Sequence, residues 1–409
     1  MKFRPVPRGK SGLLPTTARR VLLPLAVVFV VLVTAGWLSS RAEPRPDVYE
    51  QELGAWEDGH VAGGPLPDPD ASPARLTDFF AGLSVAQQRR LAERYPLVVG
   101  NLDGAPVQLR YLANRYGLAE AVVAERARMN DERLSPTGQR EAGRRMHRYE
   151  SMLSEGRQIL AFDPTGRGRA AEVMGDLESA DRISVVVPGV DSGLLNFERT
   201  AGRYSAPVGM AQALYDEERA VADGESTAVI AWADYDAPPS IAMSAATAEL
   251  ATAGADRLVD AVGALPGDAR VALFCHSYGS VVCGVAAAEL PGRVSDIAVA
   301  GSPGMRASDV GDLGTTARVW AIRANDDWIE DVPHMEIGPI GFGQDPVTPD
   351  FGARLLSAGG AEGHSGYFTP GETSLTNLAL VGTGEVNDVT CAPGVLSCAP
   401  LDPCASHAT

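Results

Sequence analysis

The chain is expected to fold as an α/β protein, a mostly parallel sheet with helices on both faces. Two features of its second half carry that expectation. Short apolar runs recur seven times between residues 158 and 323 with helical patterns among them, and one run breaks into small residues around a single serine. The seven are Gln158–Phe162, Ala170–Met174, Ile183–Val187, Ala228–Ala233, Arg270–Phe274, Asp296–Ala300 and Arg318–Arg323. Alternation of this kind builds a layered sheet flanked by helices. Asp163 to Gly168 joins the first two runs and reads as a hairpin turn, because no apolar helix opens behind it as a phosphate-binding loop requires.

The N-terminal elements follow in order. Residues 1–20 are basic, with Lys2, Arg4, Arg8, Lys10, Arg19 and Arg20. Val21–Leu38 has no charge, and its 18 residues span about 27 Å as a helix against a hydrocarbon core of roughly 30 Å. It is expected to anchor the chain in the cell membrane, and the preceding cations orient the body outward. The alternative is a cleaved signal peptide, with Ser40-Arg41-Ala42 as the cleavage site and a secreted product. Residues 39–73, rich in Pro, Gly and acidic side chains, read as a tether. Residues 74–157 read as helical: Ser84 and Gln87 form a capping box, Pro96 closes that helix, Pro106 starts another that Gly117 interrupts or ends, and Ser135-Pro136 opens a third. These helices are expected to cover the α/β body at 158–385, which a Cys/Pro-rich tail at 386–409 follows.

Ser277 lies in Val271-Ala272-Leu273-Phe274-Cys275-His276-Ser277-Tyr278-Gly279-Ser280, a strand pattern running into the small, apolar helix pattern Ser280–Leu290. This reads as a nucleophile elbow, where a strained turn exposes the hydroxyl and the following N–H faces a developing oxyanion. Small residues are needed two positions to either side. Gly279 supplies one, and Cys275 stands where glycine is usual. A base and an acid should follow in the order serine, acid, histidine. Of six histidines, His364 sits in the late small-residue loop Gly359–Gly366, where an imidazole can swing to the serine. His276 adjoins the nucleophile with its side chain expected to point elsewhere. The acid should end the run Ala317–Arg323, where Asp326 and Asp327 are both available. A second oxyanion donor is expected after Arg182–Val187, in Pro188-Gly189-Val190, so that the N–H of Val190 joins that of Tyr278. Asp191 next to it is an unexpected negative charge.

With these parts in hand, the chain resembles the actinobacterial α/β-hydrolases long classed as a domain of unknown function. The resemblance runs from about Phe79 to Phe368 through Gly100–Pro106, Ala113-Asn114-Arg115, Leu160–Pro164, Val187-Pro188-Gly189, Tyr235-Asp236-Ala237-Pro238, Cys275–Ser280 and His364–Tyr367. It implies an α/β-hydrolase fold with Ser277, Asp327 and His364 at the triad positions. It names no substrate, because function belongs to the site rather than to the fold.

Composition bounds the rest. The chain has 409 residues and a formal charge of -17, but residues 1–45 hold eight basic and one acidic residue, leaving 27 basic against 51 acidic in the remainder. No nucleic-acid partner is expected for so acidic a body. No lysine follows Lys10, which excludes a Walker lysine and a Schiff-base lysine in the body. No cofactor and no metal are expected. Cys275 and Cys283 read as buried thiols, and two of Cys391, Cys398 and Cys404 are expected to pair outside the cytoplasm, in a pairing that spacing does not choose. The expected activity is a serine hydrolase of the carboxylic-ester class acting on a small-molecule or lipid-like acyl substrate through an acyl-enzyme. The alternatives are an acyltransferase with the same triad and a catalytically silent envelope binding module.

Overall fold

Alternate residues along each central strand belong to two different cores, and this sets the layers. In a computed structural model, which describes residues 48–241, 249–334, 336–337, 340–395 and 398, eight strands form one sheet. They are β1 (Gln158–Asp163), β2 (Arg169–Met174), β3 (Arg182–Val187), β4 (Thr227–Ala233), β5 (Arg270–His276), β6 (Val294–Ala300), β7 (Arg318–Ile322) and β8 (Arg354–Leu355). Their spatial order is β1-β2-β4-β3-β5-β6-β7-β8, with β2 antiparallel to its neighbours and every other pairing parallel. Val271, Leu273 and Cys275 of β5 face one core, and Ala272 and Phe274 face the other. Both faces are covered, so the strands read as unbroken apolar runs, and the parallel pairs need helical crossovers to connect them.

All seven expected strands are present, each within two residues of its expected ends. The eighth was missed. With only two residues, β8 leaves no periodicity to read, and it exists because Leu356 N–H reaches Ala321 O beside β7.

Among the described residues are ten helices: α1 (Val48–Glu57), α2 (Pro73–Ala81), α3 (Val85–Arg94), α4 (Pro96–Asn101), α5 (Val107–Met129), α6 (Pro136–Met152), α7 (Pro207–Val221), α8 (Glu249–Gly263), α9 (Gly279–Ala286) and α10 (Thr373–Thr383). The first core takes in α8 and α9, and the second α7 and α10. The capping box forms as expected, Ser84 Oγ accepting from Gln87 N–H and Gln87 Oε1 from Ser84 N–H. Gly117 does not break α5. It lies mid-helix because a Cβ there would stand 3.1 Å from Leu97 and 3.7 Å from Phe162, so close packing on β1 is what glycine permits.

Two motifs of the helical region close the sheet. The outer rim of β1 would otherwise be an open strand edge. Asn101 donates to Phe162 O at 2.8 Å and accepts from Phe162 N–H at 3.0 Å, while Asn114 and Arg110 donate to Ile159 O and Leu160 O. Side chains thus substitute for a missing strand.

The tether expected at 39–73 is corrected over its described part. Residues 48–57 are helical, His60–Val61 and Gly64–Pro65 form a small hairpin, and Trp56 is fully buried. Its ring meets Tyr95 edge-on at 5.4 Å, and its Nε1 donates to Pro67 O. The indole, with Leu66 buried in the same cluster and Glu52 accepting the Val98 N–H at 2.8 Å, holds a segment whose proline and glycine content reads as linker. The expected span Val21–Leu38 lies outside the described residues. Among those described, no helix is long and apolar enough to cross a membrane.

Candidate active site

Ser277 follows β5 directly and takes φ 54°, one of four non-glycine residues with positive φ among those described. Its N–H donates to Ala300 O at the end of β6. Strand and helix leave no room around it. A Cβ on Gly279 would lie 2.3 Å from Val187 O, and one on Gly189 would lie 2.6 Å from the Ser277 Cβ. These two glycines let the elbow turn and let the Pro188–Asp191 loop approach the hydroxyl.

The structure brings Ser277, His364 and Asp327 together. His364 Nε2 is 2.8 Å from Ser277 Oγ, and His364 Nδ1 lies 2.8 and 3.1 Å from the two Asp327 oxygens. A carboxylate only accepts, so Nδ1 carries the proton and Nε2 is left to accept from the serine. Burial pushes the Asp327 carboxyl upward, but donors from His364, Tyr367 and Ile329 outweigh it and hold the group below its ordinary range. Asp326 goes elsewhere: its Oδ1 accepts the Gly363 N–H at 2.9 Å, tethering the histidine loop.

Several residues around this chain went unread in the sequence. Tyr367 donates to Asp327 Oδ2 and accepts the Ala324 N–H. A Cβ on Gly301 would stand 2.8 Å from Asp327 Oδ2 and 3.1 Å from His364 Nδ1, so β6 must end in a residue without a side chain. His276 does not simply point away. Its Nε2 donates to His364 O at 2.7 Å, and burial with the neighbouring His364 lowers its pKa to about 4, keeping it a neutral donor. Trp328, half exposed, lies 4.6 Å from the His364 ring. Proximity to an expected triad position was the one signal available for these.

The loop proposed to hold the oxyanion is braced from three sides. Tyr235 Oη donates to Pro188 O at 2.6 Å, Ser192 Oγ to Gly189 O at 2.8 Å, and Asp191 N–H to Pro238 O at 2.9 Å. The Tyr-Asp-Ala-Pro motif is therefore a scaffold for that loop. Asp191, the unexpected charge, pairs with Arg167 from the β1–β2 hairpin and accepts from Asn196 Nδ2 at 2.7 Å. Among the described residues neither the Val190 nor the Tyr278 N–H has an intramolecular acceptor. Both remain available to a ligand.

The cysteines correct the sequence reading. Cys275 and Cys283 are not thiols but a disulfide, and Cys391 pairs with Cys398. The strand-elbow-helix reversal folds Cys283 back beside Cys275, which sequence separation alone does not disclose. Cys404 lies outside the described residues.

Residues 163–337 match the family model described as "Alpha/beta hydrolase". Over that stretch the chain is similar to this α/β-hydrolase family. An uncharacterised protein of Mycobacterium tuberculosis is 25% identical over 402 residues, covering 81% of this chain and 58% of that protein, so the chain spans little more than half the length of that relative. An uncharacterised protein of Mycobacterium bovis is 29% identical over 198 residues, covering 46% of this chain and 72% of its own. Among solved structures, dienelactone hydrolase from Anabaena variabilis is 17% identical with TM-score 0.33, covering 57% of this chain and 99% of that chain. Est1E from Butyrivibrio proteoclasticus is 11% identical with TM-score 0.35, covering 56% and 100%.

Proposed function

We propose that the protein is a serine hydrolase that cleaves a carboxylic ester or related acyl bond through an acyl-enzyme. The observation that carries this reading is the unbroken hydrogen-bond chain from Ser277 Oγ through His364 to Asp327. In this mechanism Ser277 attacks the carbonyl carbon as His364 Nε2 takes its proton, and Asp327 stabilises the resulting imidazolium. The N–H groups of Val190 and Tyr278 receive the oxyanion. His364 returns the proton to the leaving alcohol, and water then resolves the acyl-enzyme by the same route in reverse. Trp328 offers an apolar surface beside the base to a small-molecule or lipid-like acyl group.

A fluorophosphonate is expected to label the folded protein on Ser277, and Ser277→Ala to abolish labelling and ester hydrolysis together. Tryptic mass spectrometry checks the position. No labelling of the wild type would remove the hydrolase reading, and undiminished labelling of the variant would move the nucleophile.

The body is proposed to face the outside of the cell, anchored through residues 21–38. Two disulfides support an oxidising compartment, since such bonds rarely persist in the cytosol. Protease added to intact cells without an outer barrier is expected to digest the body and spare residues 1–20. Protection of the body until lysis would reverse the orientation.

A further inference from the structure

We propose that a cleft at the far end of the sheet from Ser277 binds a phosphate-type oxyanion. The cleft has a volume of about 480 Å³ and is lined by Arg182, Arg270 and Arg318 together with Ser295, Thr316 and Gly384. The three arginines are the first residues of β3, β5 and β7. The serine follows the last residue of β5, so strand geometry alone separates it from Arg270 by roughly 20 Å. This is a second place on the molecule, not an extension of the first.

The charge arrangement calls for an anion. Arg182 and Arg270 are direct register partners on neighbouring strands, and like charges directly opposite one another in a sheet are destabilising. Two of the three guanidinium groups have partners. Arg182 Nε donates to Glu225 at 2.6 Å, and Arg318 makes two 2.7 Å bonds to the fully buried Asp296. Arg270 has neither: among the described residues its side chain has no carboxylate and no hydrogen-bond acceptor. What sets Arg270 apart is its place: an unpaired guanidinium that shares one cleft with two further arginines. A guanidinium fork matches two oxygens of a phosphate, which would bridge Arg270 to Arg182 and relieve their repulsion. Ser295 and Thr316 line the same space; the Thr316 hydroxyl can donate to a further oxygen, whereas that of Ser295 donates to Val271 O at 3.4 Å.

Isothermal titration of the full-length protein with inorganic phosphate and with pyrophosphate tests this. Saturable binding is expected, tighter for pyrophosphate, and Arg270→Gln should weaken it roughly tenfold or more. Arg270 has no internal partner, so this variant should melt like the wild type. Arg89→Gln, which changes an exposed arginine of α3, should bind normally. Vesicles containing phosphatidic acid form a second arm: saturable capture that Arg270→Gln loses, without binding of free phosphate, assigns the oxyanion to a lipid headgroup. The proposal is overturned if neither the free anions nor the vesicles bind saturably, or if Arg270→Gln binds as tightly as the wild type.

Discussion

Asp327→Asn is expected to lower kcat for an activated ester by roughly 10⁴, the cost of losing the charge and favouring the wrong imidazole tautomer in a comparable triad. The amide would keep the size of the carboxylate and could accept from only one side. His364 Nδ1, Tyr367 and the Ile329 N–H all converge on this carboxylate as donors, so an NH₂ in either orientation faces at least one donor. Asp326→Asn should retain activity within a few-fold, because its oxygen accepts only the Gly363 N–H and an amide oxygen can do the same. Steady-state kinetics on both variants, with thermal melts to verify folding, separate the two. A larger loss in Asp326→Asn would reassign the acid, and near-full activity in both would detach this loop from the chemistry.

The second large effect concerns stability and pH. Glu218 of α7 is completely buried on the second face of the sheet, where Ser184 and Thr227 hydroxyls donate to it and no cation pairs with it. Burial raises its pKa to about 7 from an ordinary 4.5, against the smaller opposing effect of the two hydroxyls. The folded protein therefore keeps a proton that the unfolded chain releases. Stability from this group is complete below about pH 4.5 and is lost as pH rises to about 7, because over that window the unfolded state binds fewer protons. The loss is on the order of 3 kcal/mol. Glu218→Gln cannot ionise and should escape it. Urea unfolding at about pH 5 and about pH 8 is expected to show the variant gaining on the wild type by about 2–3 kcal/mol at the higher pH. An equal difference at both pH values would mean that Glu218 does not titrate in this window.

The limits of the sequence are clearest where one residue serves another that is remote in the chain. Strands β1 to β7 were legible because each is buried on both faces and announces itself as an apolar run. The elbow was legible because it demands small residues at fixed offsets from one serine. Tyr367 and Gly301 carry no local pattern: the first matters through a carboxylate 40 positions earlier, the second through a side chain it lacks. His276 was set aside because its neighbour was the expected nucleophile, yet it faces a carbonyl 88 residues away. Trp56 was lost inside a segment whose composition reads as linker, since composition averages over the few side chains that hold it.

By itself the sequence determined the fold class, the elbow at Ser277, the histidine that suits it and the pair of aspartates available to it, because each depends on residue type and order along a short stretch. Only the tertiary structure decided that Asp327 rather than Asp326 meets His364, that Cys275 pairs with Cys283, that the helical region closes the edge of β1, and that Asp191 is neutralised by Arg167. Each of these depends on which side chain points where after the chain has turned. Adjacent residues differ by a bond rotation that sequence does not record, and it is this direction that packing fixes.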